Sequence, residues 1–271
     1  MKKVIGIATM CVLAMSLSAC GSSNDGKDRV MISGSSSVNV LMEELEPVFE
    51  AKYENIDLKI SASGSSDGIK AAKEGTVNFG MSSRSLTPEE KSGVDESIIA
   101  MDGIGVIVNA NNPVTDLTIE QIAKIYTGEV TNWSELGGAD LPIAVVARES
   151  ASGTRGAFEE ILGIKDQMTT DAKEFNGTGG VKSEVSQNPN AIGYISLGSI
   201  DETIKALKVE GIEASEANIQ NDSYAIARPF ILIYEENSLT QSSQTFLEWV
   251  LGPEGQAVVA EEFVSVENTA E

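Results

Sequence analysis

The sequence contains no histidine, and this absence excludes chemistry that depends on an imidazole. Without it there can be no Ser-His or Cys-His nucleophile and no His-ligated metal. Basic residues are also few, because 19 Lys and Arg stand against 41 Asp and Glu, which gives a formal charge of −22. Nucleic-acid binding draws its affinity mainly from cations that neutralise phosphates. We therefore expect no nucleic-acid partner.

Long apolar runs are scarce, and the one at the N-terminus has the features of a secretory signal. Two lysines precede an apolar run of 14 residues over 4–17, which is too short to span a bilayer that needs roughly 20 residues. The run ends in the sequence LSACG at 17–21, which resembles the lipobox of bacterial lipoproteins. That resemblance implies a diacylglycerol on the Cys20 sulfur and cleavage just before it. The alternative is an incidental thiol after an ordinary cleavage site.

Cleavage there defines a signal peptide over 1–19 and leaves a mature chain of 252 residues. The signal carries two lysines and no acidic residue, so the mature formal charge becomes −24. The chain has two cysteines. Cys11 is lost with the signal and Cys20 is acylated, so no intramolecular disulfide is expected. Residues 20–28 are mostly polar and predict a flexible tether between the lipid and the folded body.

After the tether, strand-like and helix-like segments alternate along the chain. This alternation predicts an α/β protein with mainly parallel sheets. Pro47 predicts a kink or boundary in the first helix, and Pro229 a break in the last strand. The predicted strands lie at 30–32, 57–61, 77–80, 103–109, 141–147 and 224–234, and the predicted helices at 38–53, 68–73, 118–126, 154–162, 181–187, 200–207 and 240–250.

Three predicted strand-to-helix junctions are rich in Gly and Ser, at 33–37, 63–68 and 148–155. Small residues let the backbone approach a ligand, hydroxyls donate hydrogen bonds, and the first N–H groups of a helix lack partners. Such a composition favours a cradle for an oxyanion. A single Ser at a helix start is usually only an N-cap, but three junctions, one of them with arginines, favour anion binding. None matches a nucleotide-binding glycine motif.

The order of motifs along the chain is similar to that of one protein family. The motifs are GSSSV, SGSSDGI, VNFGMSSR, GIGVIVN, IYTGEVTNW, RESASGTR and NAIGYISL. They resemble the phosphate-binding lipoprotein of the high-affinity bacterial phosphate ABC importer. The resemblance implies a type II periplasmic-binding-protein fold, with two α/β lobes joined by a two-stranded hinge. Lobe one is then 28–103 plus 227–271, and lobe two is 104–226 with the hinge strands.

The same resemblance implies a set of phosphate-binding residues. Arg148 pairs with the phosphate, unless it forms only a surface salt bridge with Glu149. Arg155, which follows the motif, is expected to be an ordinary residue of the helix surface. The other donors are hydroxyls and backbone amides at the three junctions, namely Ser36, Ser37, Ser65, Ser152, Gly153 and Thr154.

One position departs from the pattern of many relatives. Where they have an aspartate that accepts a hydrogen from protonated phosphate, this sequence has Ser83, followed by Arg84. A hydroxyl can accept or donate but does not repel fully ionised sulfate, so the departure leaves the choice of anion open. Arg84 either adds charge to the phosphate site or pairs with an acid such as Asp67.

The functional expectation is therefore extracytoplasmic binding of inorganic phosphate and its delivery to an ABC permease for import. We expect a lipid-anchored monomer that is not an enzyme and uses no cofactor or metal. The alternatives are a binding protein for another tetrahedral oxyanion such as sulfate or molybdate, and a phosphoesterase with carboxylate-bound metals. A scaffolding lipoprotein would share the acidic surface and the tether, but does not explain three cradles. A Ser-Lys hydrolase is disfavoured because the chain has no SxxK motif.

Overall fold

The computed structural model describes residues 26–266. The predicted signal peptide, Cys20 and the first part of the tether lie outside the described residues. Within that range the strands are β1 (Asp28–Gly34), β2 (Ile56–Ala62), β3 (Phe79–Ser82), β4 (Asp95–Asn109), β5 (Asp116–Leu117), β6 (Ala144–Arg148), β7 (Lys173–Phe175), β8 (Ala191–Ser196), β9 (Ile204–Ala206), β10 (Lys208–Val209) and β11 (Ala227–Tyr234). The α-helices are α1 (Ser36–Lys52), α2 (Ser65–Lys73), α3 (Ile119–Thr127), α4 (Gly153–Ile161), α5 (Gly177–Gln187), α6 (Glu216–Gln220), α7 (Gln241–Leu251) and α8 (Pro253–Val259).

One long strand, β4, runs through the middle of the molecule and changes partners halfway. Most strands follow the order β2-β1-β3-β11-β4-β8-β6-β7, with β9 also paired to β4. Residues of β4 up to Gly103 pair with β11, whereas those from Ile104 onward pair with β8. The Ile104 N–H also donates to the carbonyl of Ile226, just before β11, at 2.8 Å. Two connecting strands therefore cross from one half of the structure to the other.

Each half has its own hydrophobic core. The first core includes Phe49, Phe79 and Phe246, and the second includes Tyr126, Phe158 and Tyr194. We call the half around β1, β2, β3, β11 and the first part of β4 lobe one; α1, α2, α7 and α8 pack with it. The other half is lobe two. Two α/β lobes joined by two strands confirm the fold class predicted from the sequence.

Helix α1 shows why the sequence folds as it does near the site. Ser35 caps it, because its side chain accepts the N–H groups of Ser37 and Val38. Apolar residues at helical spacing, among them Leu45 and Phe49, are fully buried. Pro47 lies inside the helix, so of the two alternatives, a kink or a boundary, the boundary is wrong. Burial of the neighbouring apolar side chains outweighs the one backbone hydrogen bond that a proline removes.

Two other expectations need correction. The predicted helix at 200–207 is wrong, because this segment contains strand β9, which pairs with β4 between Ile204 and Ala206. The sheets are mixed, with five parallel and four antiparallel strand pairs among the described residues, whereas the sequence predicted mainly parallel sheets. Pairs near the edges, such as β1 with β2 and β6 with β7, are parallel, while β11, β4 and β8 pair antiparallel in the middle. Pro229 remains within β11, beside a register shift at Phe230.

In the part of the chain that the structure describes, no helix combines the length and apolar character needed to cross a membrane.

Candidate functional site

Four helices of the described chain begin where the two lobes meet, and each contributes a hydroxyl from its first residues to one cluster. The first N–H groups of a helix lack intrahelical partners and carry the positive end of the helix dipole. Their convergence makes this boundary suited to an anion. The contributing hydroxyls are those of Ser36 and Ser37 in α1, Ser65 in α2, Thr154 in α4 and Thr178 in α5.

Lobe one contributes a buried group of three serines that follow strands β1, β2 and β3. The Ser35 hydroxyl donates to Ser83 Oγ at 2.8 Å. The Ser65 hydroxyl accepts the Ser83 N–H at 3.1 Å and lies 3.3 Å from Ser83 Oγ. Parallel strands bring their carboxyl ends to one edge of a sheet, which is why these serines meet although they are far apart in sequence.

Lobe two contributes Arg148, the last residue of β6, which is only 1% exposed. Its Nε and Nη2 donate to the two carboxylate oxygens of Glu149 at 2.9 and 2.8 Å. Nη2 also donates across the lobe boundary to Ser36 Oγ at 2.9 Å. The salt bridge that the sequence left open is therefore present; its Arg148 side is buried and its Glu149 side is partly exposed, and it holds the guanidinium against the hydroxyl cluster. Burial raises the pKa of Glu149, and the hydrogen bond and charge of Arg148 lower it overall.

The first residues of α4 touch lobe one directly. Thr154 Oγ1 lies 2.9 Å from Ser37 Oγ. At Gly153 a Cβ atom would lie 2.1 Å from Ser65 Oγ and 2.8 Å from Ser83 Oγ, so only glycine fits between these hydroxyls. Ser152 is the buried N-cap of α4, and its side chain accepts a backbone N–H from the first turn. The structure thus places these predicted residues at the lobe boundary.

The two remaining arginines of the predicted motifs have other partners. Arg84 donates from both terminal nitrogens to Glu90 at 2.7 Å, so the structure does not bring it into the cluster. The Thr87 N–H also donates to Glu90 and holds that carboxylate in place. Arg155 pairs with Glu159 at 2.7 Å and donates to the Arg148 carbonyl. It is a partly buried residue of the α4 surface whose hydrogen bond links α4 to the end of β6.

Sequence reasoning missed two residues of the cluster. Thr178 follows β7 at a fourth Gly-rich junction, Asn-Gly-Thr-Gly-Gly at 176–180, whose composition matches that of the three predicted ones. Arg228 is the second residue of β11, is 2% exposed, and donates to Thr154 Oγ1 at 2.6 Å. The signal for Arg228 is a charged residue at the start of an otherwise apolar strand, since a buried charge needs a partner.

The partner of Arg228 is Asp102, directly opposite it on β4. Nε and Nη2 donate to Asp102 Oδ2 at 3.1 and 2.9 Å. Burial raises the pKa of Asp102 and lowers that of Arg228, and the attraction between them opposes both shifts. The cluster therefore contains two guanidinium groups, each already balanced by one carboxylate. The uncharged polar groups that these arginines contact are hydroxyls, Ser36 for Arg148 and Thr154 for Arg228.

A cleft of about 740 Å³ reaches the cluster from the surface between the lobes; it is lined by Ser36, Gly177 and Thr178 together with Lys182, Ser183 and Asp201. Within residues 26–266 no group of three or more His, Cys, Asp or Glu side chains is arranged to hold a metal ion.

Two separately packed lobes, two connecting strands and a polar cleft at their boundary define the periplasmic-binding-protein class. A family model described as a PBP superfamily domain matches residues 21–254 of the chain. The phosphate-binding protein PstS of Borreliella burgdorferi is 31% identical, over 97% of this chain and 98% of its own length. PstS of Bacillus subtilis is 27% identical, over 92% of this chain and 88% of its own. The chain belongs to the PstS family of phosphate-binding proteins, which confirms the resemblance found in its motifs.

Solved structures agree with this assignment. One is a putative phosphate ABC transporter substrate-binding protein with bound phosphate from Clostridium perfringens, with 47% identity, a TM-score of 0.87 and coverage of 89% of this chain and 100% of that one. Another is an ABC-type phosphate transport receptor from Vibrio cholerae, with 32% identity, a TM-score of 0.75 and coverage of 88% and 100%.

Proposed function

We propose that the protein binds inorganic phosphate outside the cytoplasm and delivers it to an ABC permease for import. The observation that carries this proposal is the convergence of four helix N-termini, a hydroxyl cluster and buried Arg148 at the boundary of two lobes. Membership of the PstS family and the bound phosphate of the Clostridium perfringens relative support phosphate as the anion. Sulfate and molybdate remain the alternatives that a competition experiment must reject.

The proposed phosphate site combines both lobes. Arg148 supplies the charge from lobe two, and Ser83 stands where many relatives have an acceptor aspartate. A hydroxyl accepts a hydrogen bond from protonated phosphate as well as donating one to its oxygens. Arg84 is left out, because Glu90 holds its guanidinium. The remaining proposed donors are Ser36, Ser37, Ser65, Ser152, Gly153 and Thr154.

The mechanism follows from exchange of the water around the anion for fixed protein donors. Each hydrogen bond to a charged group contributes about 1.5 to 3 kcal/mol net. We propose that lobe one, 28–103 plus 227–271, and lobe two, 104–226, close on the anion about the two connecting strands. No bond is made or broken, so the protein is not an enzyme. A phosphoesterase would need free carboxylates here, but Glu149 and Asp102 are both held by arginines.

Lipid attachment is the proposed means of keeping the protein at the membrane. The lipobox-like sequence at 17–21 supports a diacylated Cys20 at the mature N-terminus, and two acyl chains give a lasting anchor where one would not. Residues 20–28 tether the lipid to a monomeric body. Cys20→Ala is expected to release the protein from membranes, as measured by fractionation of cells. Retention of this variant in the membrane fraction would contradict the assignment.

Calorimetry tests the phosphate proposal. The protein lacking residues 1–20 is titrated with phosphate, arsenate and sulfate, and we expect one phosphate per chain with a dissociation constant of about 1 μM or lower. Saturable binding of sulfate without binding of phosphate would reverse the choice of anion. Absence of binding to all three anions would refute the proposal that the cleft is an oxyanion site.

Arg148→Ala is the matched test of the site itself. We expect this variant to keep its fold, checked by circular dichroism, and to lose measurable phosphate binding because the buried guanidinium contacts both the cluster and the anion. In this variant the Glu149 carboxylate loses its partner and would repel the anion. The double variant Arg148→Ala with Glu149→Gln removes that repulsion, so any remaining loss of affinity is due to the missing Arg148 donor. Wild-type affinity in the double variant would show that Arg148 does not bind the anion.

A further inference from the structure

The buried pair of Arg228 and Asp102 lies on the two strands that connect the lobes. The two residues face each other in the register of β11 and β4, next to the point where β4 changes partners between Gly103 and Ile104. Both are at most 2% exposed. A buried ion pair is weak support for stability, because desolvation cancels much of the attraction. Its place beside the anion site therefore calls for another explanation.

The hydrogen bonds of this pair reach both lobes. Arg228 Nη1 donates to the Ser83 carbonyl of lobe one at 3.1 Å and to Thr154 Oγ1 of lobe two at 2.6 Å. Asp102 Oδ1 accepts from the Ser196 hydroxyl at 2.9 Å and from the Leu197 N–H at 3.2 Å, both in lobe two. One ion pair on the connecting strands thus contacts each side of the cleft.

The contact with Thr154 also restricts the direction of a hydroxyl proton. A guanidinium only donates, so Thr154 Oγ1 accepts the hydrogen bond from Arg228. The Thr154 proton therefore points away from Arg228 and is free to serve Ser37 Oγ, 2.9 Å away, or an anion bound at the lobe boundary. Asp102 accepts from Nε and Nη2 of the same guanidinium, which leaves Nη1 to donate to Thr154.

We propose that Arg228, held by Asp102, is a positioning residue that orients the Thr154 hydroxyl as a donor to the anion and couples phosphate affinity to contact between the lobes. This inference rests on the proposed function of the cleft. Arg228 acts here through Thr154, and the variants below distinguish this role from a purely structural one.

A double-mutant cycle tests the proposal. The first arm is Arg228→Gln with Asp102→Asn, which neutralises both partners and leaves no lone buried charge. The second arm is Thr154→Val, which removes the hydroxyl at nearly constant shape, and the third combines all three substitutions. Phosphate dissociation constants and the melting temperature without phosphate are measured for each arm. Arg84→Gln with Glu90→Gln is the control, because it removes a bidentate Arg–carboxylate pair that lies outside the cluster.

We expect the neutral pair to weaken phosphate binding at least about tenfold when Thr154 is intact, as loss of a charge-assisted hydrogen bond does, and much less when Thr154→Val is already present. The control pair should leave the dissociation constant unchanged. Equal losses with and without Thr154→Val, or a lower melting temperature with unchanged affinity, would overturn the proposal. Should the neutral pair not fold, Arg228→Lys takes its place in the same cycle. Failure of the unmodified protein to bind phosphate would instead refute the proposed function.

Discussion

At the scale of single residues, the site is built from donors whose charges are already balanced. Arg148 is paired with Glu149 and Arg228 with Asp102, so the guanidinium groups add direction to the site more than net charge. The hydroxyls bond to one another across the lobe boundary, as Ser37 and Thr154 do. Small side chains are therefore essential here, because larger ones would hold the two surfaces apart.

Gly153→Ala tests this requirement for close contact. The added methyl would overlap Ser65 Oγ and also lie 2.7 Å from Ser65 Cβ, and Ser65 is fully buried, so we expect lobe closure to be obstructed. Overpacking of this kind costs about 1 to 3 kcal/mol, which corresponds to a loss of about fivefold to 150-fold in phosphate affinity. Calorimetry with phosphate measures the loss.

Gly179→Ala is the control for this substitution. Gly179 lies in the first turn of α5 and lines the same cleft, and a Cβ added there would meet no atom within 4 Å. We expect wild-type affinity from it. If Gly153→Ala also binds phosphate normally, the contact between Gly153 and Ser65 does not persist in the bound protein.

The sequence alone indicates candidate site residues where they directly follow strands, and their binding role stays a prediction. Ser65 and Thr154 occupy junctions whose small polar composition has a local signature. Arg228 carries no such signature, because its partners Asp102 and Thr154 are 126 and 74 positions away and only the tertiary fold brings them together. For Arg84 the sequence left two alternatives, and the structure shows the pairing with an acid, although the acid is Glu90 and not Asp67. Arg84 belongs to a site-like motif, but the nearby turn at Thr87 provides Glu90 as a closer partner.

At the scale of secondary-structure elements, the caps of the helices serve both stability and the site. Ser152 caps α4 through an N–H of its first turn and lies 4% exposed at the lobe boundary. Thr118 caps α3 in the same lobe, within a capping box completed by Gln121. The two helices have equal lengths, so the two caps offer a comparison in which only one lies at the proposed site.

Ser152→Ala and Thr118→Ala are both expected to lower the free energy of unfolding by about 1 kcal/mol, because each removes an N-cap acceptor. Only Ser152→Ala should also weaken phosphate binding, since its hydroxyl lies among the proposed donors. Denaturant unfolding and calorimetry on the same samples separate the two effects. Equal phosphate affinity in both variants would limit Ser152 to a capping role.

The elements that the sequence predicted correctly are those with strong local patterns. Helix α1, with its buried apolar face, and helix α3, which begins after the capping box at Thr118, both lie close to their predicted bounds. The segment 200–207 has enough apolar residues for a helix, but hydrogen bonding to β4 extends it as β9. The first half of β4, from Asp95, was missed because its exposed and buried residues do not alternate cleanly. Such choices depend on long-range pairing that a local pattern does not contain.

At the scale of the whole molecule, the acidic surface opposes the arrival of an anion. The full sequence carries a formal charge of −22, while each arginine of the cluster is balanced by a carboxylate. Long-range repulsion therefore acts on free phosphate until it comes within a few ångströms of the hydroxyls and helix N-termini. Salt screens that repulsion, with a Debye length of about 30 Å at 0.01 M and about 10 Å at 0.1 M.

We expect the association rate constant for phosphate to rise about twofold to tenfold between 0.01 and 0.15 M sodium chloride, because screening removes the long-range repulsion. The protein lacking residues 1–20 contains no cysteine, so Ser183→Cys at the cleft can carry a single fluorophore for stopped-flow measurements. The same titration on Arg148→Ala gives the background signal. An association rate that falls with added salt would mean that the helix N-termini and arginines dominate the field that phosphate meets, and that the acidic surface has no part in its capture.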